Sequence, residues 1–219
     1  MFLGHFAVAF ALKRAAPEVK LGTAVVAAQL LDVIWPVLVL LGWETAAVVP
    51  GITVVTPFDF ISYPYSHSLL LAALWALLFG WAYWRRSASP RAAAWLAAAV
   101  LSHWVLDALS HRPDLPLAPG MAAKVGLGLW YSLPATLAVE AGMFAVGLAL
   151  YLSATRARDR IGLWALWGYV ALLLASYGGA VFGPPPPDVS AVVLTGIAGM
   201  LLLLLWAYWI DRHRESARP

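Results

Sequence analysis

Residues 189–210 read VSAVVLTGIAGMLLLLLWAYWI and contain no charged side chain. At ~1.5 Å per residue, a helix of that length crosses the ~30 Å hydrocarbon core of a bilayer. Leu201 to Leu205 is continuously apolar, so the alternation of a β-barrel strand is absent. Working outward from this stretch, similar runs occupy residues 21–42, 66–84, 91–111, 131–153 and 161–182, and a shorter one occupies 2–12. The whole composition agrees with that pattern. The 219 residues are 63% apolar and 11% charged, with a mean hydropathy of +0.80. A soluble domain carries about 25% charge, so this chain has too few charges to cover a water-facing surface. A soluble globular enzyme is therefore excluded, and abundant apolar side chains exclude disorder. The expected fold is all-α: a polytopic helical membrane protein with six long transmembrane helices and a short N-terminal helix or half-helix. Residues 1–219 are expected to form a single integral membrane domain.

The basic residues sort by side. Lys13, Arg14, Lys20, Arg85, Arg86, Arg91, Arg156, Arg158, Arg160, Arg212, Arg214 and Arg218 fall on one side, and Arg112 and Lys124 on the other. The positive-inside rule makes the first side cytoplasmic, with the C-terminus inside and loops 43–65 and 112–130 facing outward. The charges of the first run follow its apolar stretch, which is the reverse of a signal peptide. Arginine (11) far outnumbers lysine (3), and asparagine is absent, a composition of GC-rich bacterial genomes. The expected location is the bacterial cytoplasmic membrane. Trp43, Tyr63, Tyr65 and Trp130 read as an outer aromatic belt.

The chain has no cysteine, which removes thiol catalysis, cysteine zinc sites and disulfides. No nucleotide-binding loop is present, and no nucleic-acid partner is expected. The informative polar groups are those inside the apolar runs, where ionisable side chains are costly and point to function. Counted from the cytoplasmic ends at the helical rise, His5 lies ~12 Å deep, Asp32 and His103 ~18 Å, Asp107 ~24 Å and His67 ~27 Å. His111 falls near the outer boundary and Glu140 near the middle of its run.

The most specific local pattern is Ser102-His103-Trp104-Val105-Leu106-Asp107-Ala108-Leu109-Ser110-His111. Spacing of four puts His103, Asp107 and His111 on one helical face. Imidazole and carboxylate so placed can share a divalent ion, zinc or, with more carboxylate, manganese. An isolated pair of this kind also serves as a structural hydrogen bond. His5, Asp32 and His67, at compatible depths, add to the set. Ser66 is either a helix cap or a partner of His67, and Gln29, one turn before Asp32, and Ser102 stand beside the ligand candidates as groups that would orient them. Glu140 has three readings: a structural acid, a base beside the site, or a proton relay.

Taken in order, Gly4-His5, Leu31-Asp32, Ser66-His67-Ser68-Leu69-Leu70 and Ser102-His103-Trp104-Val105-Leu106-Asp107 resemble the YdjM-like membrane-bound metal-dependent hydrolases of bacterial inner membranes. These in turn resemble the zinc-dependent phospholipase C superfamily. The resemblance covers residues 1–120, leaving helices over 131–211 as accessory elements. It implies that His5, Asp32, His67, His103 and Asp107 are metal ligands. Two departures stand out. Where the family has Leu-Pro-Asp-x-Asp, Leu31-Asp32-Val33-Ile34 keeps one acid. Where it has His-Arg-Gly-x-Thr-His-Ser, Ser62-Tyr63-Pro64-Tyr65-Ser66-His67-Ser68 lacks the first pair. His111 stands where the family often has a hydroxyl residue, and is taken as a replacement ligand.

The expected function is hydrolysis of a membrane lipid or lipid-linked ester or phosphoester from the outer-leaflet side, through water activated by one or two zinc or manganese ions, with Asp107 or Glu140 accepting the proton. The same His and Asp set also suits a proton or metal transporter, or a non-catalytic protein with a structural metal.

Overall fold

A computed structural model describes residues 1–217. Arg218, counted above among the cytoplasmic basic residues, lies outside the described residues. The helices are α1 (Leu3–Ala15), α2 (Leu21–Ala28), α3 (Leu30–Leu40), α4 (Pro64–His67), α5 (Leu69–Ser87), α6 (Pro90–Ser110), α7 (Leu133–Ala154), α8 (Arg160–Phe182) and α9 (Val189–His213). The fold is predominantly rather than purely helical. The loops carry three short antiparallel pairs: β1 (Thr45–Val48) with β2 (Phe58–Ser62), β3 (Leu115–Pro116) with β4 (Lys124–Val125), and β5 (Thr155–Ala157) with β6 (Arg214–Ser216).

Among the described residues, four helices, α6 to α9, are long and apolar enough to cross a membrane, and the bent pair α2–α3 makes a fifth if it counts as one span. Each of the four begins at a side-chain cap. Ser89, Ser132, Asp159 and Asp188 accept hydrogen bonds from the amides of Ala92, Ala135, Gly162 and Ala191. These caps satisfy amide groups that the first helical turn leaves open.

Two expected continuous runs are broken. Run 21–42 divides at Gln29, and its halves meet at 56°. At that break the Ala28 carbonyl accepts a hydrogen bond from His103 Nδ1 at 2.7 Å. A side chain inserted into the backbone ladder is a recognised cause of a sharp kink. Run 66–84 starts later than its hydropathy suggests. His67 ends the single turn α4, and Ser68, extended at ψ 146°, caps α5 through a bond from the Leu71 amide. α5 has the length of a span, but Trp81, Tyr83, Trp84, Arg85 and Arg86 at its C-terminal end lower its hydropathy.

The short first run becomes the centre of the bundle. α1 packs against α7, α2 and α6, and Leu3, Phe6, Ala9, Phe10 and Leu12 are all buried. Its 13 residues are too short to span a bilayer, so its environment is protein. The approach to α7 depends on Gly147, where an added Cβ would lie 2.4 Å from the Ala7 carbonyl oxygen. Burial within the spanning windows falls from 44% in α6 to 11% in α9. α6 is thus an inner helix, and α9 exposes Leu201, Leu202 and Leu205.

The basic segments gather at one end. β5 pairs with β6, Ser89 Oγ bonds Glu18, the Arg91 guanidinium bonds the Ala15 carbonyl, and Asp211 accepts from the Leu21 and Gly22 amides. At the other end the two long loops interlock. Arg112 pairs with Asp59, Tyr63 Oη donates to Asp114, and the Leu70 amide bonds the Leu117 carbonyl.

Candidate metal centre

Five side chains from four helices converge on one buried point. α1 supplies His5 and α3 supplies Asp32. α4 supplies His67, and α6 supplies His103 and Asp107. Among the described residues, two overlapping groups have ligand atoms within 4.8 Å of one another, a spacing that could hold a metal ion: His5 with His103 and Asp107, and Asp32 with His67 and His103. Four of these five side chains are almost wholly buried, and Asp32 keeps 41% of its side chain exposed.

Asp107 is central. Its Oδ1 lies 2.6 Å from the Met1 amino nitrogen, 3.2 Å from His5 Nε2 and 4.0 Å from His111 Nε2. Its Oδ2 lies 3.2 Å from His103 Nε2 and 3.7 Å from His67 Nε2. Asp32 Oδ1 stands opposite, 3.5 Å from His67 Nε2 and 3.7 Å from His103 Nε2.

The far nitrogens explain why the Nε2 atoms point inward. His103 Nδ1 meets a carbonyl, which only accepts, so Nδ1 carries the proton. His67 Nδ1 donates to Ser66 Oγ at 2.7 Å, and Ser66 Oγ donates to Glu44 Oε2 at 2.6 Å. His111 Nδ1 bonds Asp114 Oδ1 at 3.1 Å. Fixing one imidazole nitrogen in this way leaves the other as a metal-ligand lone pair.

In the neutral rings, the His103 and His67 Nε2 lone pairs then face carboxylate oxygens, acceptor against acceptor. His103 Nε2 is buried without a hydrogen-bond partner, and so is His5 Nδ1. A cation among the ligands, either a metal ion or a proton on one of the rings, would relieve this arrangement. Protonating both stacked rings is a poor answer, because His5 and His103 lie face to face at 3.7 Å, 4° from parallel. Two imidazolium ions there would repel.

The other sequence candidates separate. Ser66 is not a helix cap but the link between His67 and Glu44. Gln29 sits buried at the helix break, with its Oε1 unpartnered. Ser102 Oγ bonds the Ala99 carbonyl in its own helix. His111 lies one residue beyond the end of α6, in extended conformation, at the edge of the cluster. Glu140 faces the start of α1, where its oxygens accept from the Phe2 and Gly4 amides at 3.0 Å each. Tyr63 and Trp130 are not belt residues. Tyr63 is buried against Asp114, and Trp130 lies against His111 with ring centroids 4.2 Å apart and the planes tilted by 39°.

Two supporting acids escaped the sequence reading. Glu44 accepts from the Tyr65 and Ser66 amides as well as Ser66 Oγ. Nothing local links it to residues 22 positions later. Asp114 had a signal in its spacing of three from His111. Burial raises its carboxyl pKa, but hydrogen bonds from His111, Arg112 and Tyr63 outweigh burial and hold it below the usual carboxylate range.

A cavity of about 610 Å³ opens over the cluster, reaching Asp32, His67, Asp107 and His111. Loop residues 50–58 form one wall, and the end of α8, Pro184 to Pro186 and the start of α9 form another.

Apolar helices around a buried His/Asp cluster define a multi-pass membrane protein with a potential metal centre. More particularly, the chain belongs to the YdjM inner membrane protein family, whose model matches residues 1–183. The match continues through α7 and α8, well past the limit of 120 expected from the motifs. It assigns the chain to the inner membrane as a multi-pass protein. No curated protein and no solved structure matches the chain.

Proposed function

We propose that this protein is a metal-dependent hydrolase of a membrane lipid or lipid-linked ester or phosphoester, working from the outer-leaflet side. The observation that carries this reading is the set of inward Nε2 lone pairs opposed to Asp32 and Asp107, at the base of a cavity. In the same reading the chain is one membrane domain with six spans, counting α5 and the bent α2–α3 pair, and its C-terminus is cytoplasmic. The gathering of basic segments at one end supports that topology.

His5, His67, His103, Asp32 and Asp107 would hold one or two ions, with His111 beside them. The donor set is nitrogen and oxygen only, which suits zinc, or manganese through the carboxylates. A bound ion of this kind supplies Lewis acidity toward water and an ester or phosphoester oxygen. The protein supplies the rest. Ser66 and Glu44 orient His67, and the Ala28 carbonyl orients His103. Glu140, with both oxygens engaged by α1, sets the position of His5. Asp32, with its flank open to the cavity, is the better placed carboxylate to accept a proton from attacking water. The kinship with zinc-dependent phospholipases C belongs to this proposal as well. Below the cluster, Phe6, Phe10, Leu21, Leu31 and Leu96 are each under 2% exposed. That apolar packing favours a dead-end pocket over a transport path.

The test is elemental mass spectrometry of the detergent-purified protein beside a His103→Ala/Asp107→Ala variant, followed by a lipid-turnover screen. One or two equivalents of zinc or manganese, lost in the variant, with turnover only in the parent, is the expected result. Wild-type protein that takes up neither metal on reconstitution would overturn the mechanism.

A further inference from the structure

At the basic end of the protein, α8 and α9 enclose an open cleft of about 310 Å³ that shares no lining residue with the cavity over the His/Asp centre. Arg160, Ile161, Trp164 and Ala165 line it from α8, and Trp206 and Trp209 line it from α9. Spacings of three and four put each set on one helical face. Trp206 forms the floor. Its Nε1 donates to the Ala165 carbonyl at 3.0 Å, and a Cβ on Gly168 would stand 3.1 Å from its ring. Trp164 and Trp209 form the walls, 70% and 42% exposed.

The polar end of the cleft is tied together. β5 pairs with β6, the Arg158 amide donates to the His213 carbonyl at 2.9 Å, and His213 Nδ1 lies 2.8 Å from Asp159 Oδ2. Residues 154–164 and 206–217 carry five arginines and three acids. All three acids are engaged: Asp159 by His213 and the Gly162 amide, Asp211 by the Leu21 and Gly22 amides, and Glu215 by Arg156 and Arg158. Arg214 is buried and bonds Thr155 and the Gly162 carbonyl. Among the described residues, no ion pair or side-chain hydrogen bond engages Arg160 or Arg212, and both are exposed. Arg160 lines the cleft, and Arg212 follows Trp209 by three residues and so shares its face. In the other direction, Leu202 and Leu205 continue the exposed apolar surface of α9 along the helix.

An occupant that fits has apolar length along the tryptophans and negative charge at the arginines. A free phosphate uses only the arginines, and an uncharged lipid uses only the tryptophans. We infer that the cleft binds an anionic glycerophospholipid of the leaflet at the basic end, with its phosphate at Arg160 and Arg212 and an acyl chain along Trp164, Trp206 and Trp209. Tryptophan favours the boundary between headgroups and hydrocarbon, and each arginine near an anionic membrane surface adds attraction. No carboxylate or imidazole lines the cleft, so the lipid here is a bound partner and not a substrate. The site is independent of the proposed hydrolase.

The experiment is native mass spectrometry of the full-length protein in detergent, titrated with phosphatidylglycerol or phosphatidylcholine of the same acyl chains, with and without a chelator. The parent should retain phosphatidylglycerol over phosphatidylcholine, and chelation should not change that preference. Arg160→Gln and Arg212→Gln should each weaken phosphatidylglycerol binding roughly fivefold, with the unfolding temperature unchanged because both side chains are exposed and unpaired. Trp164→Ala should weaken binding of both lipids. Arg86→Gln, at the end of α5 and outside the cleft, should bind like the parent, which separates this site from the general attraction of a basic surface. Inorganic phosphate should not displace the lipid. Equal retention of the two lipids, an equal loss in Arg86→Gln, displacement by inorganic phosphate, or undiminished binding by both cleft arginine variants would each overturn the inference.

Discussion

Glu44→Gln gives the sharpest test of how the centre is organised. Glu44 lies between α3 and β1 and touches none of the candidate ligands. Its Oε1 accepts from the Tyr65 and Ser66 amides at 2.8 Å each, and its Oε2 accepts from Ser66 Oγ at 2.6 Å. Alanine here would strand three buried donors at roughly 1–3 kcal/mol each, a large part of the ~5–15 kcal/mol that holds a typical protein folded. Glutamine is more informative. Its carbonyl oxygen can keep the two amides, but its NH₂ then faces Ser66 Oγ and must donate to it. The Ser66 proton turns to its other partner, His67 Nδ1, and His67 moves its own proton to Nε2, where a metal ligand needs a lone pair. Loss of such outer support typically costs about 10–100-fold in metal affinity, or roughly 1.4–2.7 kcal/mol. The assay is zinc competition against a calibrated chelator, with circular dichroism to confirm the fold. A folded Glu44→Gln protein that binds zinc within threefold of the parent would refute the relay.

The two neighbouring serines should separate cleanly. Ser68→Ala removes the cap of α5 and should cost about 1 kcal/mol of stability with little effect on metal, whereas Ser66→Ala should weaken metal binding like Glu44→Gln; thermal unfolding and chelator competition read the two. Gly147→Ala should destabilise by about 1–3 kcal/mol, because its methyl would meet the Ala7 backbone and push α1 from α7; a melting temperature equal to the parent's would show that the helices can separate without cost. Chelating protein kept at a hundredfold excess of metal over Kd should remove about 2.7 kcal/mol of stability, seen as a lower unfolding temperature that added zinc restores.

Much of the architecture was legible because a bilayer imposes a simple rule on composition. Uncharged runs of about 20 residues announce spanning helices, and α6 to α9 appear within a few residues of their predicted bounds. The departures come from side chains that take over backbone groups. His103 claims the Ala28 carbonyl and breaks the second run at Gln29. Glu44 claims the Tyr65 and Ser66 amides and holds α4 apart from α5. Hydropathy averages over such bonds and cannot register them. The aromatic residues show the same limit, since Trp43 and Tyr65 are exposed as a belt requires but Tyr63 and Trp130 pack on the site.

Composition and hydropathy alone identify a helical membrane protein. The sequence also marked His5, Asp32, His67, His103 and Asp107 as out of place in apolar surroundings, because charge in hydrocarbon is costly wherever it occurs. It could not say how those groups meet. Their common point lies between segments up to 102 positions apart, and three of the imidazoles are held at the far nitrogen: His103 by the Ala28 carbonyl, His67 by the Ser66–Glu44 pair and His111 by Asp114. The contacts of Glu140 with the Phe2 and Gly4 amides were likewise decided by tertiary packing. A side chain's hydrogen-bond partner is a matter of three-dimensional position, and helix spacing specifies that only within a single helix.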